Sequence, residues 1–166
     1  MIAIANVTPD WGIGKNGRLL VFIPDDLKRF RRLTQGKNVI YGRKTLATFP
    51  DGKPLKNRRN LILSGSRSVK IEGAEICHGI EEILEKIKDT PADEVFLIGG
   101  ARVYAQLLPY CERAYVTKTF TDAPADCFFP DLDALPHWEQ TDVSALFEEN
   151  GIKYQYIDYV NHEVRK

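Results

Sequence analysis

Two adjacent carboxylates, Asp25 and Asp26, follow Pro24 in the segment FIPDDLKRF, at the start of a predicted helix. Proline suits a first helical turn because its missing N–H would have no partner there, and acidic residues at that end interact favourably with the helix dipole. Since successive helical residues point about 100° apart, the spacing predicts that Asp25 faces solvent, where an ion pair with Arg29 is available. Asp26 falls inside the apolar stripe that should face the core.

Asp26 is therefore the first candidate for chemistry. A carboxylate on the apolar side of a helix is costly unless hydrogen-bond donors or a ligand compensate it. We predict that Asp26 anchors a ligand. The alternative is that Asp26 only caps the first turn of its own helix, and this segment alone leaves that alternative open.

A glycine pair marks a possible phosphate site in the segment VFLIGGARVY. Gly99 and Gly100 lie between a predicted strand and a predicted helix. Glycine lets the backbone approach a ligand closely, and the free N–H groups of a helix start can bind phosphate. A tight strand-to-helix turn also needs glycine, so the pair by itself is compatible with a purely structural role.

The segment VIYGRKTLATF has a similar order with more positive charge. Gly42 precedes Arg43, Lys44 and Thr45 at a predicted helix start. Cations oppose the helix dipole there, so a bound anion explains them better than a structural role does. The segment does not match a P-loop, which argues against a kinase. Two phosphate-type turns together suggest a dinucleotide ligand, although the chain has no GxGxxG fingerprint.

The turn SGSRS after the strand at 59–63 favours NADP(H) over NAD(H). No acid occurs there until Glu72 to bind a ribose 2′-hydroxyl, whereas Ser64 and Arg67 suit a 2′-phosphate. At the beginning of the strand, either Arg58 or Arg59 could bind a substrate carboxylate through two hydrogen bonds. The alternative is that both are exposed arginines that only aid solubility.

The composition predicts a small-molecule ligand in a chain that fits one domain. The chain has 166 residues, with 23 Lys plus Arg balanced by 23 Asp plus Glu, so no net field favours nucleic acid or a membrane surface. Cys77, Cys111 and Cys127 are too widely spaced for a zinc site and odd in number, which is typical of reduced thiols. We expect a cytoplasmic protein without a metal.

These candidate residues need a sheet and helices to position them. Runs rich in β-branched residues predict strands at 2–7, 38–41, 59–63, 94–99 and 113–120, and helical spacing predicts helices at 25–35, 80–88 and 102–108. Their alternation predicts an α/β fold with helices on both faces of a mostly parallel sheet. The last part, WEQTDVSALFEENGIKYQYIDYV, predicts an antiparallel hairpin added to it. TPDWGIGKNGRLL is predicted to be a mobile loop across a site.

Across nearly its whole length the chain resembles dihydrofolate reductases of the bacterial chromosomal type. The resemblance is carried, in order, by IGKNGRLL, IPDDLKRFRRLT, VIYGRKT, PLKNRRNLILS, VFLIGGARVYAQLLP, YVTKTF and DCFFPD. It implies one domain over residues 1–166, with an eight-stranded mixed, mostly parallel sheet and four helices. It also implies NADPH-dependent reduction of 7,8-dihydrofolate to tetrahydrofolate, inhibition by antifolates, and a monomer.

The resemblance assigns roles to individual residues. Asp26 would bond the pteridine N3 and 2-amino group, Thr117 would support the same amino group, and Arg58 would hold the glutamate α-carboxylate. The folate site would be lined by Ile4, Ala5, Leu27, Phe30, Phe49 and Leu55. The cofactor would contact Ala5, Ile13, Gly14, Gly42, Arg43, Lys44, Thr45, Leu63, Ser64, Arg67, Ile98, Gly99, Gly100, Ala101, Arg102, Val103 and Tyr104, with a cis Gly99–Gly100 peptide.

For the reaction, the resemblance implies hydride transfer from NADPH to substrate C6. A water would protonate N5, because Asp26 is too remote to do so directly. Residues 12–20 would form a lid over the nicotinamide, and Asp126 would reach the lid backbone.

The chain departs from the family at one position beside the helix. Most members read Leu-Pro-Trp where this chain reads Leu19, Leu20 and Val21. We expect Val21 to leave a roomier, wetter pocket with weaker antifolate contacts. Two rival functions are a pyrimidine reductase of riboflavin synthesis, for which Asp26 has no obvious task, and a catalytically silent nucleotide-binding paralogue.

Overall fold

The computed structural model describes residues 1–166, with twelve strands and four α-helices. The strands are β1 Ile2–Val7, β2 Gly12–Lys15, β3 Arg18–Leu19, β4 Asn38–Gly42, β5 Arg59–Leu63, β6 Ala74–Cys77, β7 Val95–Gly99, β8 Arg113–Phe120, β9 Cys127–Phe128, β10 Trp138–Val143, β11 Phe147–Glu149 and β12 Ile152–Asn161. The helices are α1 Pro24–Thr34, α2 Arg43–Leu46, α3 Ile80–Ile87 and α4 Ala101–Leu107. No helix is long and apolar enough to span a membrane.

The main sheet confirms the predicted mixed α/β architecture. Eight strands follow the path β10-β12-β8-β1-β7-β4-β5-β6, and β11 pairs with β12 beside that path. The six strands from β8 to β6 pair in parallel, whereas β12 runs antiparallel to β8, β10 and β11. The β11–β12 hairpin turns at Asn150 and Gly151, whose positive φ angles suit a two-residue hairpin turn.

Helices cover both faces of the sheet because its central strands are apolar on both sides. On one face, Ile2, Ile4 and Tyr41 pack with α1 and α2 through residues such as Phe30 and Leu46. On the other face, the neighbouring residues of the same strands pack in a larger cluster with α3 and α4; that cluster includes Ala3, Val7, Ile40, Ile83, Val103 and Leu107. Successive residues of a strand therefore contact different helices: one set packs against α1 and α2, and the alternate set packs against α3 and α4.

The structure differs from the sequence prediction in two places. The segment predicted to be a loop at TPDWGIGKNGRLL contains the hairpin β2–β3, which joins β9 in a separate three-stranded sheet. Its turn residues Asn16 and Gly17 both have positive φ, as a type I′ turn requires. Strand β6 at the edge of the main sheet was not predicted, because AEIC is short and has little β-branched character.

Candidate active site

A large cleft of about 2160 Å³ lies where β1, β4, β5 and β7 end, between α1 and α4. That edge is where parallel α/β sheets ordinarily bind ligands. The volume exceeds the few hundred to about 1,000 Å³ of an ordinary single-ligand pocket, so it has room for two ligands side by side. Of the residues that the sequence singled out for binding and lid roles, all line the cleft except Asn16, Arg67 and Asp126.

Asp26 is held at the cleft by two side chains from neighbouring strands. Thr117 of β8 donates a hydrogen bond of 2.6 Å to Oδ1, and Asn6 of β1 donates one of 3.0 Å to Oδ2. Asp26 accepts no bond from its own helix, and α1 has no side-chain cap. The alternative that Asp26 only caps its first turn therefore does not describe this carboxylate.

Asp25 is exposed, as the helical spacing predicts, but Arg29 on the next turn of the helix contacts aromatic rings instead of this carboxylate. Arg29 makes no ion pair with Asp25; its guanidinium lies 4.1 Å from the ring centroid of Tyr156 and 5.8 Å from that of Tyr115. The ion pair with Arg29 that the helical spacing makes available is not formed. A guanidinium gains more from stacking on two aromatic faces than from an exposed ion pair, which is worth little in water.

Arg58 is a half-buried cation without a carboxylate partner. Its Nε donates to Thr34 Oγ1 at 3.1 Å and its Nη1 donates to the Lys56 carbonyl at 3.0 Å. Burial, and then the nearby charge of Arg31, lower the pKa of this guanidinium. A bound anion would relieve both effects, so the surroundings favour a carboxylate ligand over the alternative of a solubilising arginine.

Asn60 shapes the loop that presents Leu55 and Arg58. Its amide nitrogen donates to the carbonyls of both residues at 2.9 and 3.0 Å, and its oxygen accepts from Leu55 N at 3.0 Å and from the Tyr41 hydroxyl at 2.7 Å. Sequence reasoning missed this residue. The only signal in the sequence was a single amide side chain inside the otherwise apolar run NLIL, and the structure shows that this side chain is buried.

The glycine pair forms a close turn against the second predicted phosphate segment. The Gly99–Gly100 peptide is cis, and Gly99 has a φ of 139°. A Cβ added at Gly100 would lie 3.3 Å from Thr45 Oγ1, and one added at Gly42 would lie 3.0 Å from a Val103 methyl group. Both turns thus meet at one place, where side chains larger than glycine would fill the space.

Positive charge surrounds these turns without acidic partners. Arg43, Lys44 and Arg102 are exposed at the cleft, and the four lysine or arginine ion pairs of the chain all involve other residues. Helix α2 has no acidic residue in its first turn. Ser64 is buried at the end of β5 and lines the cleft, whereas Arg67 is exposed outside the lining, on the same turn. The donor set fits an anionic ligand.

The hairpin β2–β3 borders the cleft and is hydrogen-bonded to β9 and to the residue that precedes it, Asp126. Asp126 accepts a 2.9 Å hydrogen bond from the backbone N–H of Asn16 through Oδ2, and its own N–H donates to the Gly14 carbonyl at 2.9 Å. The N–H of Asn16 is the main cause that lowers the pKa of the Asp126 carboxyl. Asp126 therefore contacts the predicted lid backbone while lying outside the cleft itself.

Val21 lies half-buried in the cleft lining, between exposed apolar neighbours. Leu19 is 63% exposed and Phe22 is 71% exposed. Sequence reasoning did not select Phe22, although it belongs to the quoted segment FIPDDLKRF and lines the same cleft. This end of the cleft is therefore apolar and open.

The chain matches the family model described as dihydrofolate reductase over residues 1–161. It is 32% identical over 149 residues to a dihydrofolate reductase of Bacillus subtilis, covering 89% of this chain and 86% of the relative. It is 34% identical over 151 residues to that of Mycobacterium leprae, covering 89% of both. The structure of a dihydrofolate reductase from Enterococcus faecalis, complexed with NADP(H) and RAB-propyl, superposes with a TM-score of 0.81 at 28% identity and covers 96% of this chain and 95% of that one. With a matching model over almost all of its length and relatives above 30% identity, the chain belongs to the dihydrofolate reductase family.

Proposed function

We propose that this protein reduces 7,8-dihydrofolate to 5,6,7,8-tetrahydrofolate with NADPH. The observation that carries the proposal is the position of Asp26: a carboxylate with donors on both oxygens lies in the same cleft as two glycine turns and unpaired cations. Family membership points to the same reaction.

The pterin ring of the substrate presents two adjacent donors, the N3–H and the 2-amino group. Asp26 accepts hydrogen bonds from both donors, and the hydrogen bond from Thr117 to Oδ1 fixes the orientation of the carboxylate. The apolar residues Leu27, Phe30 and Leu55 line the same cleft as Asp26 and Arg58, and in this proposal they contact the benzoyl group of the substrate. Arg58 holds the glutamate α-carboxylate, because it is a desolvated cation with donors to spare.

The residues near the two glycine turns fit NADPH. The turns allow backbone contact with a pyrophosphate, and Arg43, Lys44 and Arg102 neutralise its charge. Ser64 and the exposed Arg67 belong to one short turn, so an arginine side chain extending from it could reach a 2′-phosphate. Ala5, Ile13 and Gly14 line the same cleft, and in this proposal they contact the cofactor.

Bound NADPH supplies a hydride to C6 of dihydrofolate, while N5 gains a proton, which gives tetrahydrofolate and NADP⁺. The protein contributes alignment and exclusion of bulk water. Asp26 lies at the N3 edge of the pterin and orients the ring, and its charge favours the protonated pterin. A water supplies the proton to N5, and the β2–β3 hairpin acts as the lid over the reacting atoms.

The remaining features of the proposal follow from the same family. Residues 1–166 form one dihydrofolate reductase-like domain that acts as a monomer in the cytoplasm and binds antifolates in the folate half of the cleft. Neither nucleic acid nor a membrane is a partner, in keeping with the balanced charge of the chain.

The decisive test is loss of absorbance at 340 nm when purified protein is mixed with NADPH and dihydrofolate. We expect oxidation of NADPH that depends on both the protein and dihydrofolate, and much slower oxidation with NADH. Folded protein that binds NADPH without oxidising it would identify the silent paralogue. Oxidation with a pyrimidine of riboflavin synthesis in place of dihydrofolate would identify the rival reductase.

A further inference from the structure

Asn6 is the one polar side chain of β1, and it lies in the cleft beside Asp26. Its amide nitrogen is 3.0 Å from Oδ2 of Asp26. The parallel register of β1 and β8 places Asn6 directly opposite Thr117, whose hydroxyl bonds the other oxygen of the same carboxylate. Two adjacent strands thus hold Asp26 by one oxygen each.

The Asn6 amide is oriented by the carboxylate of Asp26 and held from its other side by a buried hydroxyl. An ionised carboxylate only accepts hydrogen bonds, so the amide nitrogen must face Asp26 and the amide oxygen must face the other way. There the oxygen accepts a 2.6 Å bond from Thr119 Oγ1. Thr119 is 0% exposed, so water does not compete for that bond. The donors run in one direction, from Thr119 to Asn6 to Asp26, the arrangement in which neighbouring hydrogen bonds strengthen one another.

The hydrogen bonds from Thr117 and Asn6 fix the plane of the Asp26 carboxylate and leave some of its acceptor sites free. A carboxylate offers about four lone-pair sites, of which Thr117 and Asn6 use two. Rotation of the carboxylate would break one of these bonds, each made to a charged group. The remaining sites are therefore held toward the cleft, where a ligand with two adjacent donors can use them.

We propose that Asn6 is a positioning residue that fixes Asp26 for two-donor recognition of the pterin edge, and that Thr119 holds the amide of Asn6 in place. The inference rests on the proposed function for the identity of the ligand. The competing explanation is a polar pair that only stabilises the strands. The proposal and the competing explanation differ in whether Asn6 affects ligand binding through Asp26.

The first experiment measures the dissociation constant of dihydrofolate by calorimetry, without NADPH. Asn6→Leu keeps the side-chain size and removes the donor, so we expect binding to weaken about tenfold, as for loss of one hydrogen bond to a charged group. Thr119→Val should weaken binding by a smaller factor, about threefold, because the amide is released and not removed. The matched control is Asn38→Leu, which removes an amide donor to the Glu94 carbonyl at the opposite end of β4 and should leave binding unchanged.

The second experiment repeats Asn6→Leu in an Asp26→Asn background. If Asn6 acts through the carboxylate, its replacement should then have almost no further effect on dihydrofolate binding. A tenfold loss that persists in this background overturns the proposal, since Asn6 would be acting on the ligand or the fold independently. NADPH affinity and the thermal unfolding midpoint are measured for each variant, and Thr119→Val carries the test if Asn6→Leu does not fold.

A third measurement is independent of any ligand. In protein labelled with ¹³C at aspartate carboxyls, the Asp26 resonance is the one lost in Asp26→Asn. We expect it to move in Asn6→Leu and Thr119→Val and to stay in place in Asn38→Leu; an unmoved resonance in the first two overturns the proposal. If the resonance moves while the unmodified protein fails to oxidise NADPH with dihydrofolate, the proposed reaction is wrong and the positioning role stands.

Discussion

Thr117 donates a 2.6 Å hydrogen bond to Asp26 across 91 residues of chain. This contact joins the start of α1 to the middle of β8, so the position of the carboxylate is fixed by the sheet as well as by its own helix. Asp25, one residue earlier, has no such partner and faces solvent.

Replacing Asp26 with asparagine should remove most activity. The amide keeps the size of the side chain but puts an NH₂ where a ligand donor is expected, so we predict a loss of turnover of about 100-fold or more at neutral pH. NADPH affinity should change little, since the proposed cofactor residues lie on other elements. Asp25→Asn is the matched control and should keep nearly full activity. Equal activity of the two variants would remove Asp26 from its proposed role.

Replacing Arg58 with glutamine should weaken binding of the substrate tail. We predict that KM for dihydrofolate rises about tenfold or more, because a charge-assisted bidentate contact is lost. A reduced pterin without the glutamate should bind the variant and the unmodified protein equally. Steady-state kinetics with both substrates make the comparison. Arg59→Gln, which breaks only the pair with Glu75, is the control on the adjacent residue.

Val21→Trp tests the departure from the family. A tryptophan in the cleft lining should fill the open apolar end, which we expect to tighten antifolate binding. It should also raise the rate of proton delivery, because the larger side chain helps to hold an ordered water near Asp26. Inhibition constants for a diaminopyrimidine antifolate and the turnover number are the measurements. Values unchanged from the unmodified protein would show that the smaller side chain has no functional cost.

Glu75 should make stability depend on acid pH. Hydrogen bonds from Arg59, and next from Lys86, lower its pKa from about 4.5 to about 2. A lowered folded-state pKa stabilises the protein fully above the unfolded value, and this stabilisation is lost as pH falls from about 4.5 to about 2. The side chain is 39% exposed, so the screened contribution should be at most about 1 kcal/mol.

Urea unfolding of Glu75→Gln at pH 7 and at pH 2.5 measures this contribution. The variant should be less stable than the unmodified protein at pH 7, and the difference should shrink at pH 2.5. Glu85→Gln, which breaks a more exposed pair with Lys88, is the control and should show a smaller difference at pH 7. A difference for Glu75→Gln that is independent of pH would exclude the ion pairs as its cause.

Local sequence patterns predicted the parts of the fold that depend on local physics. Helical phase separated Asp25 from Asp26, and β-branched runs predicted the central strands, because both signals lie within a few residues. The AEIC edge strand was missed because pairing with β5, and not its own composition, makes it a strand. The hairpin at Asn16 and Gly17 carried a recognisable turn signal that the surrounding glycines obscured.

The candidate site was predictable to a lesser extent, because its contacts are long-range. Asn6 is the one polar residue of an apolar strand and was not selected from the sequence, because its partners Asp26 and Thr119 are 20 and 113 residues away. The alternation of Thr117 and Thr119 in YVTKTF placed two hydroxyls on one sheet face, and this was the only local hint of the network. The aromatic partners of Arg29 were not predicted, because they lie on β8 and β12, far from α1 in the sequence.

Strand β1 pairs with β7 and β8 and has no sheet neighbour from the first half of the chain. During synthesis on a ribosome, the first strand therefore emerges long before either of its partners exists. Its apolar residues stay unpaired until most of the polypeptide has been made, and Asp26 cannot meet Thr117 before that point. The cleft thus forms late, and a chain released early lacks the site entirely.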